Sequence, residues 1–245
     1  MNQAAAAGEE ALAHIAGGAM LYDASYLGQP EQAVFDLEQW RARGALQSTA
    51  GGRGTIAFID AGPGRHWALR HYRRGGLVAK WLDDEYFWTG AAGTRGFREW
   101  RLLRRLREWQ LPVPQPIAAR YQRAGRLFYR ADLLTVELPT RTTVAQALRE
   151  APLEAGQWAA IGGCVGELHA RGVHHADLNA HNLLLGAESR VFVLDFDRGR
   201  IRARGPWERD VLARLRRSLL KVTAGLPADR FGEQQWRELL RGVGG

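Results

Sequence analysis

The chain has 245 residues, a formal charge of +8 from 34 Lys plus Arg against 26 Asp plus Glu, and 46% hydrophobic residues, which excludes a disordered or fibrous protein and suits one domain or two small lobes. Only Lys80 and Lys221 are lysines, so chemistry that needs a titratable ammonium has two candidates. The single Cys164 excludes an internal disulfide framework or a multi-cysteine zinc site, and no run reaches the roughly 20 apolar residues of a membrane span.

In chain order, the stretch from Met1 to Glu10 lacks the basic start and apolar run of a secretion signal, so the chain is expected to act where it is made. Residues Gln47 to Asp60 place Gly51, Gly52 and Gly54 before the β-favouring Thr55-Ile56-Ala57-Phe58-Ile59, which predicts strand, tight turn, strand. From His66 to Tyr72 a further strand alternates Trp67, Leu69 and His71 with Ala68, Arg70 and Tyr72. Phe97, Trp100, Leu103, Leu106 and Trp109 then recur at steps of three, a helical stripe with the neighbouring arginines largely off it. The prolines of Leu111 to Pro116 end that helix. Strands are expected at Ile117 to Arg123 and Arg126 to Glu137, then a short linker, a helix capped by Thr142 or Thr143, and a longer helix from Leu153 to Arg171. The order is a strand-rich part over 1–138 and a helix-rich part over 139–245.

The densest chemical signal is the polar stretch His174 to Asn182, set between a helix and the short apolar run Leu183-Leu184-Leu185. Thirteen residues after Asn182, the buried-type strand Val191 to Leu194 ends on Asp195. The pattern offers two carboxylates and an amide. An amide oxygen and a carboxylate are hard ligands of the kind Mg²⁺ accepts, and a separate Asp can take the proton of an incoming hydroxyl, so metal-assisted phosphoryl transfer is the chemistry that fits. His174, His175 and His181 are also ligand types for a transition metal, but a bracing role for His175 on the loop backbone is the simpler reading.

His175, Asp177, Leu178 and Asn182 resemble the kinase pattern H-x-D-L-x-x-x-N, and Asp195-Phe196 resembles the start of D-F-G. More narrowly, Leu69 to Leu77, Leu111 to Arg120, His175 to Asn182 and Leu194 to Asp197 are together similar to the 3-deoxy-D-manno-octulosonic acid (Kdo) kinases, a lipopolysaccharide-kinase branch of the protein-kinase-like fold. The resemblance implies an α+β, two-lobed fold with an antiparallel-sheet N-lobe, a short helical C-lobe and ATP between them. It implies transfer of the ATP γ-phosphate to the 4-hydroxyl of Kdo on a lipid A precursor, at the cytoplasmic face of the bacterial inner membrane. By the same resemblance Asp177 is the catalytic residue, Asn182 and Asp195 hold Mg²⁺, and Gly52, Gly54 and Ala57 belong to the loop over the ATP phosphates. Arg70 stands where kinases carry a lysine, with Glu99 as its partner or, alternatively, as a solvated partner of Arg95 or Arg98; Lys80 is a weaker substitute for Arg70.

Other departures fit a non-protein acceptor: Asn179 replaces the catalytic-loop lysine, Asp197 replaces the glycine after Phe196, and 48 residues follow Asp197, little room for a peptide-docking platform. No nucleic acid and no protein partner are expected. Arg70, Arg73 and Arg74 with Tyr72, Trp81, Tyr86, Phe87 and Trp88, and a C-terminal stretch from Arg198 to Lys221 with nine cations against two acids, suit an anionic membrane surface. Two further classes remain open: another small-molecule phosphotransferase of this fold, and a non-catalytic nucleotide-binding module.

Overall fold

A computed structural model describes residues 9–50, 56–73 and 84–244. The chain divides into two units, one made of residues up to 108 with 115–137, the other of residues 109–114 with 138 onward.

In the first unit the β-branched and aromatic runs form strands: β1 (Glu10–Ile15), β2 (Gly18–Asp23), β3 (Leu46–Ala50), β4 (Ile56–Asp60), β5 (His66–His71), β6 (Tyr86–Phe87), β7 (Pro116–Ala124) and β8 (Phe128–Val136). Among the described residues they make one antiparallel sheet in the order β1-β2-β7-β8-β5-β4-β3, with β6 also paired to β8. The β1–β2 hairpin, absent from the sequence expectations, turns at Gly17 with a φ of +75°, a conformation that glycine adopts without steric cost. Beside it a Cβ on Gly18 would lie 1.9 Å from the Tyr121 carbonyl oxygen, so β2 meets β7 only with glycine there.

The two faces of this sheet bury different partners. Helix α1 (Leu37–Ala42) is capped by the Asp36 carboxylate, which accepts from the Glu38 and Gln39 amides. Its Trp40 joins Phe35, Ile59, Trp67, Leu69 and Leu134 in an apolar cluster and meets the Trp67 ring edge-on. Helix α2 (Arg95–Glu108) buries Phe97, Trp100, Leu103 and Leu106 of the expected stripe, and its Phe97 ring meets Tyr121 of β7; Trp109, also assigned to that stripe, lies past the end of the helix and is only partly buried.

The second unit contains α3 (Val144–Glu150), α4 (Ala155–Ala170), α5 (Trp207–Thr223) and α6 (Glu233–Val243), with the two-stranded pairs β10 (Leu183–Leu185) with β11 (Val191–Val193) and β9 (Val173–His174) with β12 (Arg200–Ile201). Thr143 caps α3 in a reciprocal box with Gln146. Helices α4 and α6 approach backbone to backbone: a Cβ on Gly162 would lie 1.9 Å from the Leu239 carbonyl oxygen, and one on Gly242 would lie 2.1 Å from that of Ala159. Small residues at these positions set the contact, and any larger side chain would push the helices apart. The lone Cys164 is buried within α4, and burial pushes its thiol up to about 12, which leaves it a packing residue.

Candidate active site

Alternation along β5 decides which of its residues can do chemistry. Trp67, Leu69 and His71 point to the α1 side of the sheet, while Arg70 and Tyr72 point toward α2. There the Arg70 guanidinium pairs with Glu99, and the Tyr72 hydroxyl donates to the same carboxylate at 2.6 Å. Glu99 is only 2% exposed, so it is a buried residue of α2 and not a solvated one on the helix surface. Arg70 also stacks over the Tyr72 ring, 4.5 Å from its centroid. Tyr72 was not anticipated as a partner of Glu99, although its position two residues after Arg70 on a strand puts it on the same face.

The other face carries a second charged cluster that sequence reasoning missed. Its His71 lies 2.7 Å from Asp132 and 3.1 Å from Asp84, and Arg120 donates to Asp132 at 2.6 Å. Gly52, Gly54 and Lys80 lie outside the described residues. Ala57 sits on β4, 1% exposed in the apolar cluster. Of the aromatic residues expected at an interface, Tyr86 is buried and Trp88 stacks on Tyr121, while Phe87 is 62% exposed and paired with Phe128.

In the second unit the buried His175 joins the two acid-bearing segments. Its Nε2 donates to the Leu194 carbonyl at 2.8 Å, and its Nδ1 accepts from the Asp177 amide at 3.3 Å. This pair of bonds requires the neutral Nε2–H tautomer, and burial lowers the pKa of the ring in the same sense. Phe196 meets the imidazole edge-on at 4.8 Å. Both ring nitrogens of His175 are thus engaged on the loop backbone, and among the described residues no group of three or more His, Cys, Asp or Glu side chains is placed to hold a metal.

The loop closes on itself through amides. Asn179 and Asn182 both donate from Nδ2 to the Asp177 carbonyl, at 2.8 and 3.0 Å. The Asn182 backbone carbonyl accepts from the Leu194 amide at 2.9 Å, continuing the β10–β11 ladder to the residue before Asp195. Asp195 leaves the strand in the left-handed region at a φ of +64°, which aspartate tolerates better than most side chains. Asn182 therefore spends its donor group on the loop, and its Oδ1 has no donor among the described residues. That amide oxygen and the Asp195 carboxylate are hard oxygen donors, a set that fits Mg²⁺ and not a thiophilic metal.

Asp177 is half-exposed, and its Oδ1 accepts from Arg214 Nη1 on α5 at 2.9 Å. The loop is fastened to both flanking helices: the Ala180 amide donates to Ser218 Oγ of α5 at 3.1 Å, and the Ala180 carbonyl accepts from the Ala145 amide of α3 at 3.0 Å. Arg214 is the functional candidate that the sequence reading passed over. Its signal lay in the α5 pattern, where Val211, Leu215 and Leu219 are buried and Arg214, Arg217 and Lys221 share the opposite face.

Residues 37–242 match the model of the lipopolysaccharide kinase (Kdo/WaaP) family. The chain belongs to that family. Proteins named 3-deoxy-D-manno-octulosonic acid kinase share 40% identity over 200 residues in Vibrio vulnificus (strain YJ016), covering 82% of this chain and 84% of the relative. In Stenotrophomonas maltophilia (strain K279a) the identity is 44% over 209 residues, covering 84% and 81%. A solved structure of WaaP in complex with acyl carrier protein superposes with a TM-score of 0.54 at 20% identity, over 88% of this chain and 86% of that one, which supports the two-lobed kinase-like α+β fold. Membership in the Kdo/WaaP family makes the chain a phosphotransferase acting on a hydroxyl group, with ATP as the phosphate donor.

His71 responds to pH in the opposite sense to His169, His174 and His175. The hydrogen bond to Asp132 raises the pKa of His71 against the effect of burial, so its contribution to stability is complete below about 6.5 and lost as pH rises through the folded-state value. Burial lowers the pKa of His169, His174 and His175, so their contribution is present above about 6.5 and lost as pH falls. Histidine ring resonances followed by NMR should show His71 titrating above, and His175 below, the free-histidine value; the reverse order would contradict these assignments.

Proposed function

We propose that this family member transfers the γ-phosphate of ATP to the 4-hydroxyl of Kdo on a Kdo-lipid A precursor. The observation that carries this reading is the His175 bridge, which ties the Asp177 loop to the strand end bearing Asp195 while Asn182 is bonded to both segments. Asp177 orients the acceptor hydroxyl and accepts its proton as the oxygen bonds to the γ-phosphorus and the bond to the β-phosphate oxygen breaks, releasing ADP. Asn182 and Asp195 would hold Mg²⁺, which supplies charge neutralisation to the phosphate oxygens. Arg70, held by Glu99 and Tyr72, would neutralise nucleotide phosphate in the first unit. A role for Gly52 and Gly54 over the phosphates is part of the same reading, whereas Ala57, buried on β4 in the apolar cluster, is not available for it.

Asp177→Ala or Asp195→Ala is expected to lower turnover at least about 100-fold while the thermal unfolding midpoint stays near that of the parent protein. Chelation of divalent cations is expected to abolish turnover and added Mg²⁺ to restore it. Parental turnover in either variant would refute the assignment.

Peripheral attachment to the cytoplasmic face of the inner membrane belongs to the same proposal. No described helix is long and apolar enough to cross a membrane. Phe87 and Leu127 are 62% and 66% exposed at the end of the sheet that also carries the exposed Arg126, and Arg130, which is ion-paired with Asp84 and Glu85. Apolar side chains rimmed by arginine suit an anionic lipid surface. Flotation with vesicles should therefore increase with anionic lipid, decrease with salt and weaken in Phe87→Ser; binding indifferent to all three would contradict it.

A further inference from the structure

A concave site of about 410 Å³ lies beside the catalytic loop, lined by Asn179 and His181 of the loop, Arg149 of α3, and Arg214, Arg217 and Lys221 of α5. It lies wholly within the second unit, and the loop and both helices are joined there by the Ala180 hydrogen bonds to Ser218 and Ala145. Among the described residues no carboxylate lines it. Arg214 reaches Asp177, but Arg149, Arg217 and Lys221 form no ion pair among the described residues, whereas Arg204 and Arg216 nearby are paired with Glu208 and Glu233. Like charges at 217 and 221, one helical turn apart, cost the isolated helix a few tenths of a kcal/mol, and an anion seated between them would reverse that sign. Asp177, where the acceptor hydroxyl is placed above, shares Arg214 with the site.

We propose that this site binds an oxyanion of the acceptor, so that Arg217, Lys221 and Arg149 hold the acid group of the sugar-lipid while Asp177 engages its hydroxyl. The inference rests on the proposed Kdo kinase function. A sugar acid brings a carboxylate, and a lipid A precursor can bring phosphate; both are oxyanions for which guanidinium and ammonium are suited.

The test is calorimetric binding of a deacylated, water-soluble Kdo-lipid A precursor, which needs no turnover, with steady-state kinetics run in parallel. The Arg217→Ala/Lys221→Ala double variant should bind the acceptor at least about tenfold more weakly and raise its KM by a similar factor, leaving the KM for ATP unchanged. Arg209→Ala, an exposed cation on the same helix that does not line the site, should leave acceptor binding at the parental level. Esterifying the sugar carboxylate or removing the phosphates of the acceptor identifies the source: the modification that abolishes the difference between parent and double variant marks the group that is held. Equal binding by parent and double variant would overturn the inference, as would a loss seen only with anionic vesicles and absent with the soluble acceptor. A parent protein that binds the acceptor without phosphorylating it would instead sink the kinase reading and leave the site standing.

Discussion

One buried imidazole organises the chemistry of the second unit. His175 donates to the Leu194 carbonyl and accepts from the Asp177 amide, so the Asp177 loop and the segment that leads into Asp195 are fastened through a single ring. The arrangement works only for the neutral tautomer, and burial keeps the ring in that form. Asn182 adds a second tie, its side chain bonded to the Asp177 carbonyl and its main chain to Leu194. The polar groups offered for chemistry are thereby placed by hydrogen bonds within a packed unit, which reduces the ordering left to be done when substrate arrives.

The first unit achieves a comparable placement by strand alternation. Arg70 and Tyr72 share the face of β5 that meets α2, and Glu99, buried in that helix, accepts from both. On the proposed reading Arg70 stands in for the usual kinase lysine, with a guanidinium that cannot be deprotonated and presents several donors in a fixed plane. Scarcity of lysine is thus compatible with a kinase of the Kdo/WaaP family, because neutralising phosphate requires a fixed charge and no proton transfer.

How much of this was legible in the sequence depended on the range of the interactions. The α2 stripe, the Thr143 cap and the loop motifs are local patterns, and the structure forms them where their spacing indicates. The bracing role of His175 was also readable, because its motif neighbours are the residues it holds. The β1–β2 hairpin was not, since Ala11, Ala13 and Ala19 give a weak alternation and its pairing to β7 is set nearly 100 residues away in the chain. Nor was the His71–Asp132–Asp84 cluster, whose members come from separate strands and a connecting segment. Arg214 stood in a visibly amphipathic helix, but periodicity identifies a polar face without saying what that face looks upon. The C-terminal cations, read together as one basic stretch, divide into ion-paired members such as Arg204 and Arg216 and the set that lines the site beside Asp177.

The central claim is that a kinase of this family acts on a sugar hydroxyl of a Kdo-bearing lipid through the loop held by His175. Incubation of the protein with labelled ATP, Mg²⁺ and Kdo-lipid A precursor, followed by mass spectrometry and NMR of the product, tests it most directly. One added phosphate located on the 4-hydroxyl of Kdo is the expected result. Unmodified precursor, with label released only as inorganic phosphate or moved to a different acceptor, would contradict it.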